Sequence, residues 1–162
     1  MGVGRGADPG GRGADGQKDA GARGGPLKLL DTDTCIALLR GNTAVLERRA
    51  AVSEEVVTTW ITAAELYYGA AKSKAPEGNR TLVTRFLATL PVLGLDEGAV
   101  QLFGEAKALL EQKGQRLADA DLFIGAIALG RGATVVTGSR RHYQRIPGVL
   151  VEDWIRGGRI HP

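Results

Sequence analysis

Apolar positions along the chain fall into short blocks divided by polar punctuation, and the spacing within each block predicts its element. Leu27, Leu29 and Leu30 form a brief run that stops at Asp31 and predicts a first strand. Residues 35–40 predict a short helix ended by Gly41. Asn42 is suited to cap a second helix reaching about Ala51. Residues 56–61 are β-branched and aromatic, which predicts a second strand, and Thr62 opens a helix to about Lys74. Leu82, Phe86 and Leu90 recur at helical spacing within 77–90, and 92–95 predict a short strand. Val100, Phe103, Ala106 and Leu110 line one side of a long helix over 96–113. Residues 119–129 are apolar nearly all round and predict a buried helix. Residues 133–137 and 149–151 predict the last two strands.

Strands alternating with helices imply βα crossovers, and so a parallel sheet covered on both faces, a three-layer α/β/α sandwich. In such sheets ligands collect outside the C-terminal strand ends. The pattern also divides the chain. Residues 1–26 hold almost nothing apolar and are expected to be a disordered glycine-rich extension. Residues 27–155 form the folded domain, and 156–162 a flexible tail.

Charge adds little. Five basic and three acidic residues fall within 1–28, so +2 of the net +3 belongs to that segment and only +1 to the rest. The basic balance is therefore weak evidence for nucleic-acid binding by the domain. Cys35 is the single cysteine, which excludes an intramolecular disulfide and suggests a reducing, cytoplasmic setting. On a short apolar helix it reads as a small buried hydrophobe. No apolar run approaches the ~18 residues of a membrane span, and the start lacks the apolar core of a secretory signal. Trp60 and Trp154 read as core or interface packing, and Tyr67 and Tyr68 as contributors to a dimer face.

The candidate chemistry lies in the acids. Asp31 follows the first strand directly, where a buried strand delivers a carboxylate to its tip. The competing role is a helix cap, which also suits Asp33. Glu65 lies in the first turn after the second strand, but Thr62 and Glu65 match a capping box. Asp119 and Asp121 open the buried helix, where the dipole favours acids; Asp119 fits the cap, leaving Asp121 inside the first turn. Carboxylates gathered at one sheet edge repel by roughly 3 kcal/mol per pair at ~5 Å and an effective dielectric near 20, a cost that a divalent cation removes. All-oxygen donors suit Mg²⁺ or Mn²⁺, and neither His142 nor His161 has a partner at zinc-ligand spacing. Such a site suits phosphodiester hydrolysis, with Asp31, Glu65 and Asp121 as the working groups. Ser139 is a candidate for holding a metal-bound water, as are Glu65 and Asp119. Arg140, Arg141 and Arg145, with Tyr143 between them, are candidates for phosphate contact and base stacking, against the alternative of a solvated basic turn.

The segments LLDTDTCIALLRG, ITAAELYYGAAKS, GQRLADADLFIGAIALGRGATVVTGSRRHYQRIPGV and VEDW resemble those of PIN-domain ribonucleases, most nearly the VapC toxins of bacterial toxin–antitoxin pairs. The likeness spans about residues 27–154. It implies Mg²⁺-dependent endoribonuclease activity on RNA, homodimerisation and inhibition by a small cognate antitoxin. It also implies metal ligation by Asp31 and Asp121, with Glu65 as the family's acid on the AEL helix. The family's fourth acidic position falls on Ser139, a departure that Asp119 partly offsets. Two other readings compete. In a haloacid-dehalogenase-like phosphatase, Asp31 would be nucleophile and Asp33 acid/base, yet no lysine follows Thr137 and the only late acids are Glu152 and Asp153. A PIN-like module that binds RNA without cleaving it is the non-enzymatic alternative.

Overall fold

The computed structural model describes residues 26–156, so the glycine-rich extension and the C-terminal tail lie, but for their border residues, outside the description. In chain order the elements are β1 Lys28–Leu30, α1 Thr32–Leu39, α2 Thr43–Ala51, β2 Val56–Thr59, α3 Trp60–Ala71, α4 Pro76–Leu87, β3 Val92–Leu93, α5 Glu97–Gln112, α6 Asp119–Arg131, β4 Thr134–Val136, α7 Arg140–Tyr143 and β5 Leu150–Glu152. The five strands form one sheet in the order β3-β2-β1-β4-β5, with every neighbouring pair parallel.

Alternation within the strands sorts the core into two layers. Leu29 of β1 pairs in register with Val57 of β2 and Val135 of β4. These three face Ala99 and Leu110 of α5 and Leu122, Ile124, Ile127 and Ala128 of α6. The adjacent residues Leu30, Val56 and Val136 point the other way, onto Cys35, Val45, Leu66, Ala70, Val83 and Trp154. Leu29 and Leu30 are both fully buried, which stabilises the fold by roughly 1.5–3 kcal/mol each and fixes the register of the central strand. Helices thus cover both faces, giving the α/β/α sandwich that the sequence pattern implies. No helix among the described residues is long and apolar enough to cross a membrane.

Several boundaries differ from the sequence reading, and each difference has a local cause. The second strand ends at Thr59, not at residue 61, because the Thr59 hydroxyl accepts from the Thr62 amide at 3.1 Å and starts α3 at Trp60. Thr62 is therefore inside the helix and does not form a capping box with Glu65. Trp60 sits in the first turn and is 59% exposed, so it is not a core residue, whereas Trp154 is fully buried. Asp31 itself caps α1, which starts earlier than expected. The cap of α6 is Ala118, without a side-chain hydrogen bond, and not Asp119. The basic segment after β4 contains a short helix, α7, where a turn was expected.

Candidate metal and nucleic-acid site

The site forms where the chain changes direction across the sheet. β1 is flanked by β2, its sequence neighbour among strands, and by β4 from late in the chain. The C-terminal ends of these strands form the crevice in which open parallel sheets bind ligands. Asp31 follows β1 directly, and its amide donates to the Val136 carbonyl of β4 at 3.1 Å. Thr137, Gly138 and Ser139 follow β4. A Cβ at Gly138 would stand 2.9 Å from Ile155 Cδ1, so a larger residue there would require the Ile155 side chain to shift.

A cleft of about 650 Å³ opens at this edge, lined by Asp31, Asp33, Glu65, Asp121 and Tyr143, with Arg40 and Lys72 also on its walls. Three sequence-predicted acids, Asp31, Glu65 and Asp121, thus come together, and Asp33 joins them. Asp119 does not. It pairs with Lys107 at 3.0 Å, and a separate, smaller hollow holds it. Ser139 donates from its hydroxyl to Asp33 Oδ2 at 2.8 Å. Arg140, Arg141 and Arg145 are exposed beside the cleft-lining Tyr143 on the chain. Tyr143 departs from expectation. It is fully buried, with its hydroxyl 3.4 Å from Asp121 Oδ1, so it presents no free ring face for base stacking.

Each carboxylate rests on a donor that the sequence reading did not assign to it. Asp31 is 3% exposed, and Oδ1 accepts from the Thr34 amide at 3.0 Å. Its pKa is pushed up to about 6, chiefly by burial; the Thr137 hydroxyl and Thr34 amide oppose the rise, and the Asp33 charge adds to it. Thr137 in turn accepts from the Ser139 amide at 2.8 Å. Thr32 Oγ1 donates to Glu65 Oε1 at 2.9 Å. His142 Nδ1 lies 3.1 Å from Asp121 Oδ2. The Tyr143 phenol is pushed up strongly, first by burial and then by Asp31, Asp121 and Glu65, so three carboxylate fields reach one hydroxyl. Sequence reasoning missed the roles of Thr32, Thr137 and His142 as partners of these carboxylates. Position directly after β1 and β4 was the available signal for the two threonines; nothing local flags His142.

The carboxylates line one cleft without closing into a cage, for no three His, Cys, Asp or Glu residues among those described converge as a metal-holding group. Mg²⁺ takes one or two carboxylates and retains several waters. Among the described residues no lysine or arginine pairs with Asp31, Asp33, Glu65 or Asp121. Buried Asp31 has no basic side chain paired to it among the described residues, while His142 lies against Asp121; oxygen donors of this kind suit a hard divalent cation.

The PIN domain family matches residues 28–148. The "tRNA(fMet)-specific endonuclease VapC" of Salmonella typhimurium is 39% identical over 127 residues, covering 78% of this chain and 96% of the relative. "Ribonuclease VapC2" of Rickettsia felis is 31% identical over 135 residues, covering 79% and 98%. Among solved structures, the DNA-bound VapBC of Salmonella typhimurium superposes with a TM-score of 0.74 at 38% identity, over 80% of this chain and 98% of that one. VapBC2 of Rickettsia felis, bound to a promoter DNA fragment, gives 0.74 at 28% identity, over 79% and 98%. The chain belongs to the PIN-domain family, and within it to the VapC-type ribonucleases of toxin–antitoxin systems. The phosphatase alternative falls with that membership. Its two late acids are also committed elsewhere, Glu152 to Lys28 at 2.7 Å and Asp153 to the amides of Ile155 and Arg156.

Proposed function

We propose that the protein is the Mg²⁺-dependent endoribonuclease of a toxin–antitoxin pair and cuts RNA at the cleft of Asp31, Glu65 and Asp121. The observation that carries this reading is that those carboxylates line one cleft at the C-terminal strand ends, with no lysine or arginine among the described residues paired to them. Asp31 and Asp121 are the residues to hold the ion, with Mn²⁺ a workable substitute. When bound, the ion lowers the pKa of a water and polarises the scissile phosphate. Glu65, exposed beside the cleft, orients the attacking water by accepting its hydrogen bond, and Thr32 fixes the rotamer in which it does so. The Thr137 hydroxyl and the Thr34 amide keep Asp31 facing the same space. Arg140, Arg141 and Arg145, exposed beside the cleft, hold the flanking phosphates in register.

The active unit is the single domain over 27–155, a homodimer with Tyr67 and Tyr68 near its face, restrained by a small antitoxin protein. The VapBC complexes of Salmonella and Rickettsia support the antitoxin. The tRNA(fMet) specificity in the name of the Salmonella relative makes initiator tRNA the first RNA to try.

The test is cleavage of initiator tRNA and of a mixed structured-RNA pool by wild type and Asp31→Asn, with Mg²⁺, Mn²⁺ or EDTA. Cutting that requires both the metal and Asp31 is the expected result. Metal-dependent RNA binding without any cutting would favour a non-cleaving module. Full activity in Asp31→Asn would remove the site assignment.

A further inference from the structure

Both oxygens of Asp121 are engaged by neighbouring side chains of one short element, α7. His142 Nδ1 lies 3.1 Å from Oδ2, and the Tyr143 hydroxyl lies 3.4 Å from Oδ1. A carboxylate only accepts, so the imidazole carries its proton on Nδ1 and the phenol donates. The two donors differ in setting. Tyr143 is fully buried in the core layer that contains Ile124 and Ile146, so packing fixes its hydroxyl. The His142 side chain is 49% exposed and approaches from the solvent side. α7 is anchored at its other end too, where the Ser139 hydroxyl reaches Asp33 of α1. The segment therefore bridges from α1 to α6 and presents hydroxyl, phenol and imidazole donors, with no carboxylate of its own.

We propose that His142 and Tyr143 are positioning residues which clamp the Asp121 carboxylate in the one orientation that serves the cleft. This rests on the nuclease reading above. An unclamped Asp121 in the first turn of α6 would sample several rotamers, and each would have to be abandoned on ligation. Donors behind a ligand oxygen set its direction and its basicity, and their loss weakens metal affinity or activity by about 10- to 100-fold.

The experiment measures Mn²⁺ binding by electron paramagnetic resonance, without RNA, in wild type, Asp31→Asn, His142→Ala, His142→Asn and the double variant His142→Ala/Tyr143→Phe. Urea midpoints and kcat and KM on a cleaved RNA accompany it. The double variant is expected to lose about 10- to 100-fold in Mn²⁺ affinity, with kcat lowered and KM for RNA little changed. His142→Asn, whose side-chain amide reaches the place of Nδ1, should recover most of what His142→Ala loses. A merely structural role would lower the urea midpoint, leave Mn²⁺ affinity alone and make alanine and asparagine equivalent at 142. Wild-type Mn²⁺ affinity in the double variant, with Asp31→Asn losing it, overturns the clamp alone. Failure of wild type to bind Mn²⁺ or cut RNA overturns the nuclease reading and the clamp together.

Discussion

Asp31 caps α1 through the Thr34 amide and is nearly inaccessible to water, so the proposed nuclease asks one carboxylate for a structural and a chemical duty at once. Burial makes the second duty costly. With its pKa pushed from 3.8 to about 6, the folded protein holds that proton to higher pH than the unfolded chain does. The stabilisation is fully present below pH ~3.8 and is lost as pH rises through ~6, a loss of about 3 kcal/mol. Asparagine caps helices about as well as aspartate and cannot ionise. Metal-free Asp31→Asn should therefore unfold at higher urea than wild type at pH 7.5, by up to about 3 kcal/mol, and match it near pH 3.5, while RNA cleavage is abolished. Equal midpoints at pH 7.5 would mean that Asp31 is not the strained group. The same reasoning gives the metal response. Mg²⁺ at 100 times its Kd should raise wild-type stability by about 2.7 kcal/mol at pH 7.5 and markedly less at pH 5, as read by thermal melts with and without EDTA.

Among the elements, those with a strong period were legible from sequence and those decided by one hydrogen bond were not. Strands separated by helices announced a parallel sheet covered on both faces, and the apolar run of α6 announced its burial. The end of β2 was illegible, because Trp60 and Ile61 have strand propensities that the Thr59 cap overrides. Thr59→Ala should thus cost about 1 kcal/mol in a denaturant melt. Asp119 looked like a cap, but the chain turns into α6 at Ala118 with φ −61° and ψ 142°, and Asp119 reaches Lys107 instead. α7 escaped notice since four residues carry no period, and burial of Tyr143 is a tertiary fact. The site followed the same rule. Acids at strand and helix starts could be read off the chain, whereas the donors behind them depend on contacts such as Ser139 with Asp33, 106 residues apart. The exposed arginines of the segment remain available to RNA. Arg140→Ala with Arg141→Ala should weaken RNA binding and shallow the plot of log affinity against log salt by about two phosphate contacts. An unchanged slope would return them to solvent.

At the scale of the whole molecule, two helical layers share one thin sheet, so the cleft inherits its geometry from how closely each layer seats. The α6 layer is tight at Gly125, where a Cβ would come within 2.5 Å of Ile146 Cδ1 and force that buried side chain to move. Gly125→Ala should cost roughly 1–3 kcal/mol through overpacking, visible as a lowered melting temperature. The strand order carries a further consequence, one for biosynthesis. The central strand is nearly the first part of the domain to leave the ribosome, yet its neighbour on one side, β4, lies over 100 residues downstream. Asp31 has no finished surroundings until that late strand pairs with β1 and brings Thr137 with it. A chain halted before Thr134 carries all three acids and no formed cleft. Until β4 has paired with β1, the acids already synthesised have no common edge to line, so the late strand is a condition for forming the cleft at all.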